Sequence, residues 1–157
     1  MTRDIMCEIF NEALKQLATK NQSTTELKSI LEAKFSALAN VDDVIAKTIS
    51  RLIELHLIND TFFAESIAER YQHKGDRFIK QKLQQKGFNG QTIEKTLQSL
   101  ESELERALPE AKNKFRTLQD LELKARKNKL LQFLSSRGFS DHTCYQIIDK
   151  IKSESTI

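Results

Sequence analysis

"KLQQKGF", residues 82–88, returns as "FLSSRGF", residues 133–139. Both run hydrophobe, polar, polar, base, glycine, phenylalanine at their ends, 51 positions apart. The register extends outward. Ile79 aligns with Leu130, Leu83 with Leu134, Asn89 with Ser140, Ile93 with Cys144 and Leu97 with Ile148. Shifted back by 52 positions, Ile79 meets Leu27, Leu83 meets Leu31, Ile93 meets Val41 and Leu97 meets Ile45, while Gly87 meets Phe35. Internal similarity at this period is the mark of stacked helical units.

Each copy carries the same physical content. Apolar residues four apart, such as Ile79 and Leu83, put one helix face inward. Gly87 and Gly138 stand where a helix ends in a left-handed residue. Phe88 and Phe139 then fold back onto the core, and Asn89 and Ser140 are placed to cap the next helix. That next helix reads Ile93, Leu97, Leu100, Leu104 in the second copy and Cys144, Ile148, Ile151 in the third. In the first copy Ser23-Thr24-Thr25-Glu26 is a capping box, and Val41, Ile45, Ile49, Leu52 and Leu55 form the closing stripe. A further helix precedes each pair. The first holds Ile5, Phe10, Leu14 and Leu17; the second follows Asp60 with Phe63, Ile67 and Tyr71; the third starts at Pro109, a good first-turn residue, with Phe115, Leu118 and Leu121. The expected fold is all-α: three tandem three-helix repeats, about nine helices, in an extended, curved array. The expected boundaries are 1–57, 58–107 and 108–157, with the tail "KSESTI" fraying.

Composition agrees. The 157 residues include one proline and four glycines, too few breakers for anything but a helical chain. Two cysteines make no disulfide framework. No apolar run is long enough to cross a membrane, and the start has no signal-peptide h-region. A reduced cytoplasmic monomer is expected. The net charge of +3 is uneven. Residues 1–69 carry seven Lys/Arg against eleven Asp/Glu, and residues 70–157 carry eighteen against eleven. That asymmetry points to an anionic partner for the second half.

Phosphate loops, dinucleotide fingerprints and nucleophile elbows are absent from the sequence. His56, His73 and His142 have no metal-ligand spacing. Cys144, standing where Ile93 stands one copy earlier, reads as a small core residue. No enzyme, metal or cofactor is expected. The functional signal is basic. Arg70, Lys74, Arg77, Lys80, Lys82 and Lys86 gather around one helix junction with only Asp76 among them. Lys112, Lys114, Arg116, Lys124, Arg126, Lys127 and Lys129 gather around the corresponding junction of the third copy. Such clusters meet phosphates or acidic protein surfaces without reading sequence.

The stretch "LHLINDTFFAESIAERYQHKGDRFIKQKLQQKGF", residues 55–88, resembles the central motif of the RecX family through Leu57, Ile58, Asp60, Phe63, Ala64, Arg70, Gly75, Ile79, Leu83, Lys86 and Gly87. "ALKQLATKNQSTTELKSILEAKF", residues 13–35, resembles the family's opening unit through Ser23, Glu26 and Leu27. "RKNKLLQFLSSRGFSDHTCYQII", residues 126–148, is similar to its third unit through Leu134, Arg137, Gly138 and Phe139. The chain departs from the family at Lys74-Gly75-Asp76-Arg77, where members often have Gly-x-Gly-Pro, at Phe35, where glycine is common, and near Lys20 and Asn21, where an arginine is usual.

The resemblance implies tandem three-helix repeats and a non-enzymatic modulator. Such proteins bind in the groove of the RecA recombinase filament, suppress its ATPase, strand exchange and coprotease activity, and in some cases touch DNA. On this reading the partner is the RecA filament, with single- or double-stranded DNA a second partner of the basic surface. The expected contact residues are Arg70, Lys74, Arg77, Lys80, Lys86, Arg116, Arg126, Lys127 and Arg137. A direct DNA-binding protein of helix-turn-helix-like units and a helical scaffold for another protein remain the alternatives.

Overall fold

The computed structural model describes residues 2–155, with side chains from Asp4 to Ser153. Among these residues there are nine α-helices and no strand. They are α1 (Thr2–Thr19), α2 (Thr24–Lys34), α3 (Val41–Glu54), α4 (Asp60–Arg70), α5 (Asp76–Gln85), α6 (Gly90–Ser99), α7 (Glu103–Thr117), α8 (Leu123–Ser136) and α9 (Asp141–Ser155). The tail expected to fray is helical as far as Ser155, and residues 156–157 lie outside the described residues.

The helices pack in successive threes, and each three closes its own core. Ile9, Ala13, Leu27, Leu31, Ile45 and Leu52 centre the first. Ala64, Ala68, Ile79, Leu83, Phe88 and Ile93 centre the second. Ala107, Ala111, Leu130, Leu134, Phe139 and Ile147 centre the third. Extensive helix packing occurs within threes; helices of different threes do not pack along their lengths. The inward residues are those the periodicity selects, because only a stripe of aliphatic side chains at helical spacing can desolvate together.

The Gly-Phe phrase builds the turn expected of it. Gly87, at φ +84°, and Gly138, at φ +90°, are left-handed. Phe88 N–H bonds the Leu83 carbonyl and Phe139 N–H the Leu134 carbonyl, both at 3.2 Å, which closes the last turn of α5 and of α8. Both phenylalanines are buried. Asn89 accepts the N–H of Thr92 at 2.8 Å, and Ser140 that of Thr143 at 3.2 Å. The Ser23–Glu26 capping box is complete, with both bonds at 3.1 Å.

Two readings are corrected. The stripe Ile93, Leu97, Leu100, Leu104 is not one helix: α6 ends at Ser99, and Leu100 is extended at ψ 158°. The next helix does not start at Pro109. It starts at Glu103, capped by the Ser102 hydroxyl, which accepts the N–H of Glu105 at 3.2 Å. "SELE", residues 102–105, has the pattern of a capping box and is the signal that outweighed proline. Pro109 therefore sits inside α7, exposed, where its missing N–H leaves one helical bond unmade. The expected cut between residues 107 and 108 falls within α7.

Candidate partner-binding surface

The units are joined through helix ends. At the first joint the Ser23 hydroxyl, at the start of α2, donates to the Lys86 carbonyl at the end of α5. At the second, the Gly75 N–H, at the start of α5, donates to the Arg137 carbonyl at the end of α8, 2.9 Å away. Positions 23 and 75 are repeat equivalents, as are 86 and 137. The middle helices thus run head to tail, each N-terminus set against the carbonyl end of the next, an arrangement favourable to their dipoles. A carboxylate from the first residue of the following helix three caps each joint. Asp60 accepts the Thr24 N–H at 2.9 Å, and Glu103 accepts the Asp76 N–H at 2.8 Å.

Most of the expected contact cations surround these joints. In the second unit Lys74 lies 5.0 Å from the centre of the Phe78 ring, and Lys82 5.7 Å from those of Tyr71 and Phe78. In the third, Arg126 lies 3.7 Å from the Phe115 ring centre and Arg137 4.5 Å from that of Phe133, which Lys114 also approaches. The pattern is one design used twice: half-buried rings carry the half-buried cationic side chains of the basic clusters.

The nine expected contact residues divide by what else they hold. Lys80 on α5 and Arg116 near the end of α7 are exposed. Arg70 is exposed too, but it lines a surface cavity of about 310 Å³ with Glu69, Glu101, Glu105 and Glu110, so folding surrounds it with carboxylates distant in sequence. Arg77 donates to the Ser135 carbonyl at 2.8 Å, across the second joint. Lys86 pairs with Glu26 at 3.7 Å, across the first. Arg126 donates to the Phe115 carbonyl at 2.9 Å, tying α8 to the end of α7. Lys74 gives its carbonyl to Arg106, and Lys127 and Arg137 are half-buried.

Sequence reasoning missed Arg106. Its side chain is 3% exposed. It donates to the Lys74 carbonyl at 2.6 Å, the Glu101 carbonyl at 3.0 Å and the Gln72 carbonyl at 3.3 Å, and it pairs with Asp76. The lone acid in a basic run, Asp76, was its signal: a carboxylate kept among cations is there for a partner. Glu103 was missed as well. Its carboxylate bridges the N–H groups of Asp76 and Ser140, both at 2.8 Å. Burial alone would raise its pKa, but the hydrogen bonds from Ser140 and Asp76 outweigh burial and hold it below the usual range. Asp76 shifts the other way. Burial, with the Glu103 charge, raises it against the pull of Arg106.

Among the described residues no cluster of His, Cys, Asp and Glu is arranged to hold a metal ion. No helix among them is long and apolar enough to cross a membrane. Cys7 is exposed, and Cys144 is buried with its thiol pKa raised chiefly by that burial.

Fold and surface together define a tandem three-helix repeat protein with basic clusters on its second and third units. The family model for the third three-helix domain of RecX matches residues 101–148. The chain is 32% identical to the regulatory protein RecX of Chlorobium phaeobacteroides (strain BS1) over 145 residues, covering 90% of this chain and 92% of that protein. It is 31% identical to that of Chlorobaculum tepidum over 92% of this chain and 88% of that one. Against the RecX of Clostridioides difficile (strain 630) it is 29% identical over 90% of its own length, yet spans only 66% of that longer relative. The crystal structure of RecX from Lactobacillus salivarius superposes with a TM-score of 0.82 over 96% of this chain and 98% of that one, at 26% identity. The chain belongs to the RecX family of regulatory proteins.

Proposed function

We propose that this protein is a non-enzymatic inhibitor of the RecA recombinase. It binds in the groove of the RecA filament through the basic clusters of its second and third units and suppresses ATPase, strand exchange and coprotease activity. The observation that carries the reading is the paired presentation of cations on rings, Lys74 and Lys82 in one unit and Arg126 and Arg137 in the next, in a chain of the RecX family. Two such clusters in register can meet successive acidic surfaces of a helical polymer, or its DNA backbone. A binder that favours one state of the filament shifts its equilibrium by its differential affinity and needs no catalytic group.

The test is a titration into RecA, single-stranded DNA and ATP, followed by ATP hydrolysis. Hydrolysis falls with added protein. A variant with Arg70→Ala, Lys80→Ala and Arg116→Ala, chosen because all three are exposed, keeps its helicity but requires about tenfold more protein for the same effect. A wild-type protein without effect on RecA overturns the function. A folded triple variant with undiminished effect overturns the surface. Tight, salt-sensitive binding to duplex DNA without RecA favours direct DNA recognition instead.

A further inference from the structure

The two joints share a plan but not a strength. At the second, four elements are fastened together. The buried Arg106 guanidinium reaches from α7 to the Gln72 and Lys74 carbonyls of the α4–α5 loop and to Asp76 on α5. Glu103 links the Asp76 and Ser140 N–H groups. Arg77 and Gly75 bond the Ser135 and Arg137 carbonyls of α8. The backbones of Gly75 and Gly138 are in contact, and a Cβ on Gly75 would fall on the Gly138 carbonyl.

The first joint keeps the shared helix-end bond and carboxylate cap and adds less to them. Among the described residues its bonds are Ser23 to the Lys86 carbonyl, Thr24 N–H to Asp60, and the Lys86–Glu26 ion pair, whose side chains are 41% and 25% exposed. Gly87 meets the side chain of Thr25 rather than backbone. Among the described residues no buried guanidinium crosses it. Because helices of different units do not pack along their lengths, bending resistance resides in these end-to-end bonds.

Opening the two joints therefore has different consequences. At the first, Ser23 keeps its bond to the Glu26 N–H, the Lys86 carbonyl turns to water as last-turn carbonyls do, and the partly exposed Lys86–Glu26 pair separates into two charges that water can reach. At the second, opening strands a buried arginine and its carbonyl acceptors, which is strongly unfavourable. We propose that the second and third units move as one rigid body and that the first unit pivots on the Ser23–Lys86 joint. Arg106 is then a positioning residue. It fixes the geometry between the two basic clusters, while the first unit is free to adjust its angle to whatever those clusters bind.

Pulsed electron–electron double resonance on the full chain tests this. Nitroxides are attached in a Cys7→Ser background through Ser50→Cys, Glu94→Cys and Asp149→Cys, all exposed positions, one in each unit. Buried Cys144 stays unlabelled. The 94–149 distance distribution is narrow, and the 50–94 distribution is about twice as broad. Arg106→Ala broadens the 94–149 distribution toward the other and leaves 50–94 unchanged. Arg106→Lys, which keeps the charge but lacks the fork, does the same and serves where the alanine variant does not fold. Equal widths in the wild type, or a 50–94 distribution narrower than 94–149, overturn the proposal, as does an Arg106 variant that folds without broadening 94–149.

Discussion

Gly75 donates its backbone N–H to the carbonyl of Arg137, one residue before the second Gly-Phe phrase. That bond explains why the phrase recurs. The glycine ends a helix, and it also leaves room for the start of the preceding unit's middle helix. Around Gly138 a Cβ would come within 2.7 Å of the Phe78 side chain. Around Gly87 one would come within 2.8 Å of Thr25. The first copy carries Phe35 in place of the glycine.

Gly75→Ala tests the close approach directly. Gly75 has φ −77°, an ordinary value, so alanine there brings no backbone strain. Its methyl would overlap the Gly138 carbonyl and the Phe139 N–H group, and the joint must shift to receive it. A loss of about 1–3 kcal/mol is expected from such overpacking, read by urea denaturation. Gly90→Ala is the control. Nothing lies within 4 Å of its Cβ position and the residue opens α6, so that variant gains up to about 1 kcal/mol.

The helices and their cores were legible because they are written in periodicity: Leu27, Leu31, Ile79, Leu83, Leu130 and Leu134 are all fully buried. The joints were not. Across the joints Arg106, Glu103 and Asp60 act on partners 27 to 37 residues away in sequence, and polar residues on a helix carry no period that tells solvent from a neighbouring unit. The candidate surface was legible as charge but not as geometry. Arg77 and Arg126 read as free cations, yet each bonds a backbone carbonyl, and Arg70 sits among glutamates that only the fold brings near. Pro109 misled because a favourable first-turn residue is also tolerated, at a cost, further into a helix whose cap lies earlier.

Acid weakens the second joint through Glu103. Its folded pKa lies below the ordinary 4.5, so its contribution is complete above pH 4.5 and is lost as pH falls through the depressed value. Asp76 acts in the opposite sense. Its folded pKa lies above 3.8, so protonation favours the fold, and that contribution is lost as pH rises through the raised value. Glu103→Gln separates the two. The wild type is more stable than the variant at neutral pH, and the gap in denaturation midpoint narrows as pH drops below 4.5. A gap constant with pH refutes the assignment.

His56 ends α3 with φ +59°, a left-handed residue other than glycine. The turn is well bonded: Leu57 N–H reaches the Leu52 carbonyl at 2.9 Å, and His56 N–H that of Ile53 at 3.0 Å. Any side chain with a Cβ costs about 1 kcal/mol in this conformation. Since the His56 side chain is exposed, His56→Gly raises the thermal midpoint by a few degrees. A variant with an unchanged or lower midpoint would show that the imidazole makes a compensating contact.

Arg126 and Arg116 carry the same charge in the same unit, and they separate structure from binding. Arg126 covers the Phe115 ring at 3.7 Å, bonds the Phe115 carbonyl, and has its Nε buried without a hydrogen-bond partner. Arg116 is exposed near the end of α7. Arg126→Ala loses the stacking and the carbonyl bond together, about 1–3 kcal/mol, and Arg126→Lys recovers little because an ammonium cannot reproduce the planar fork. Arg116→Ala leaves the denaturation stability within about 0.5 kcal/mol of wild type and, on the proposed function, weakens inhibition of RecA. Stability and inhibition of RecA ATP hydrolysis, measured on the same preparations, give the answer. If Arg126→Lys matches the wild type in stability, Arg126 is not an anchor of the third unit. If Arg116→Ala inhibits undiminished, the partner does not meet that end of α7.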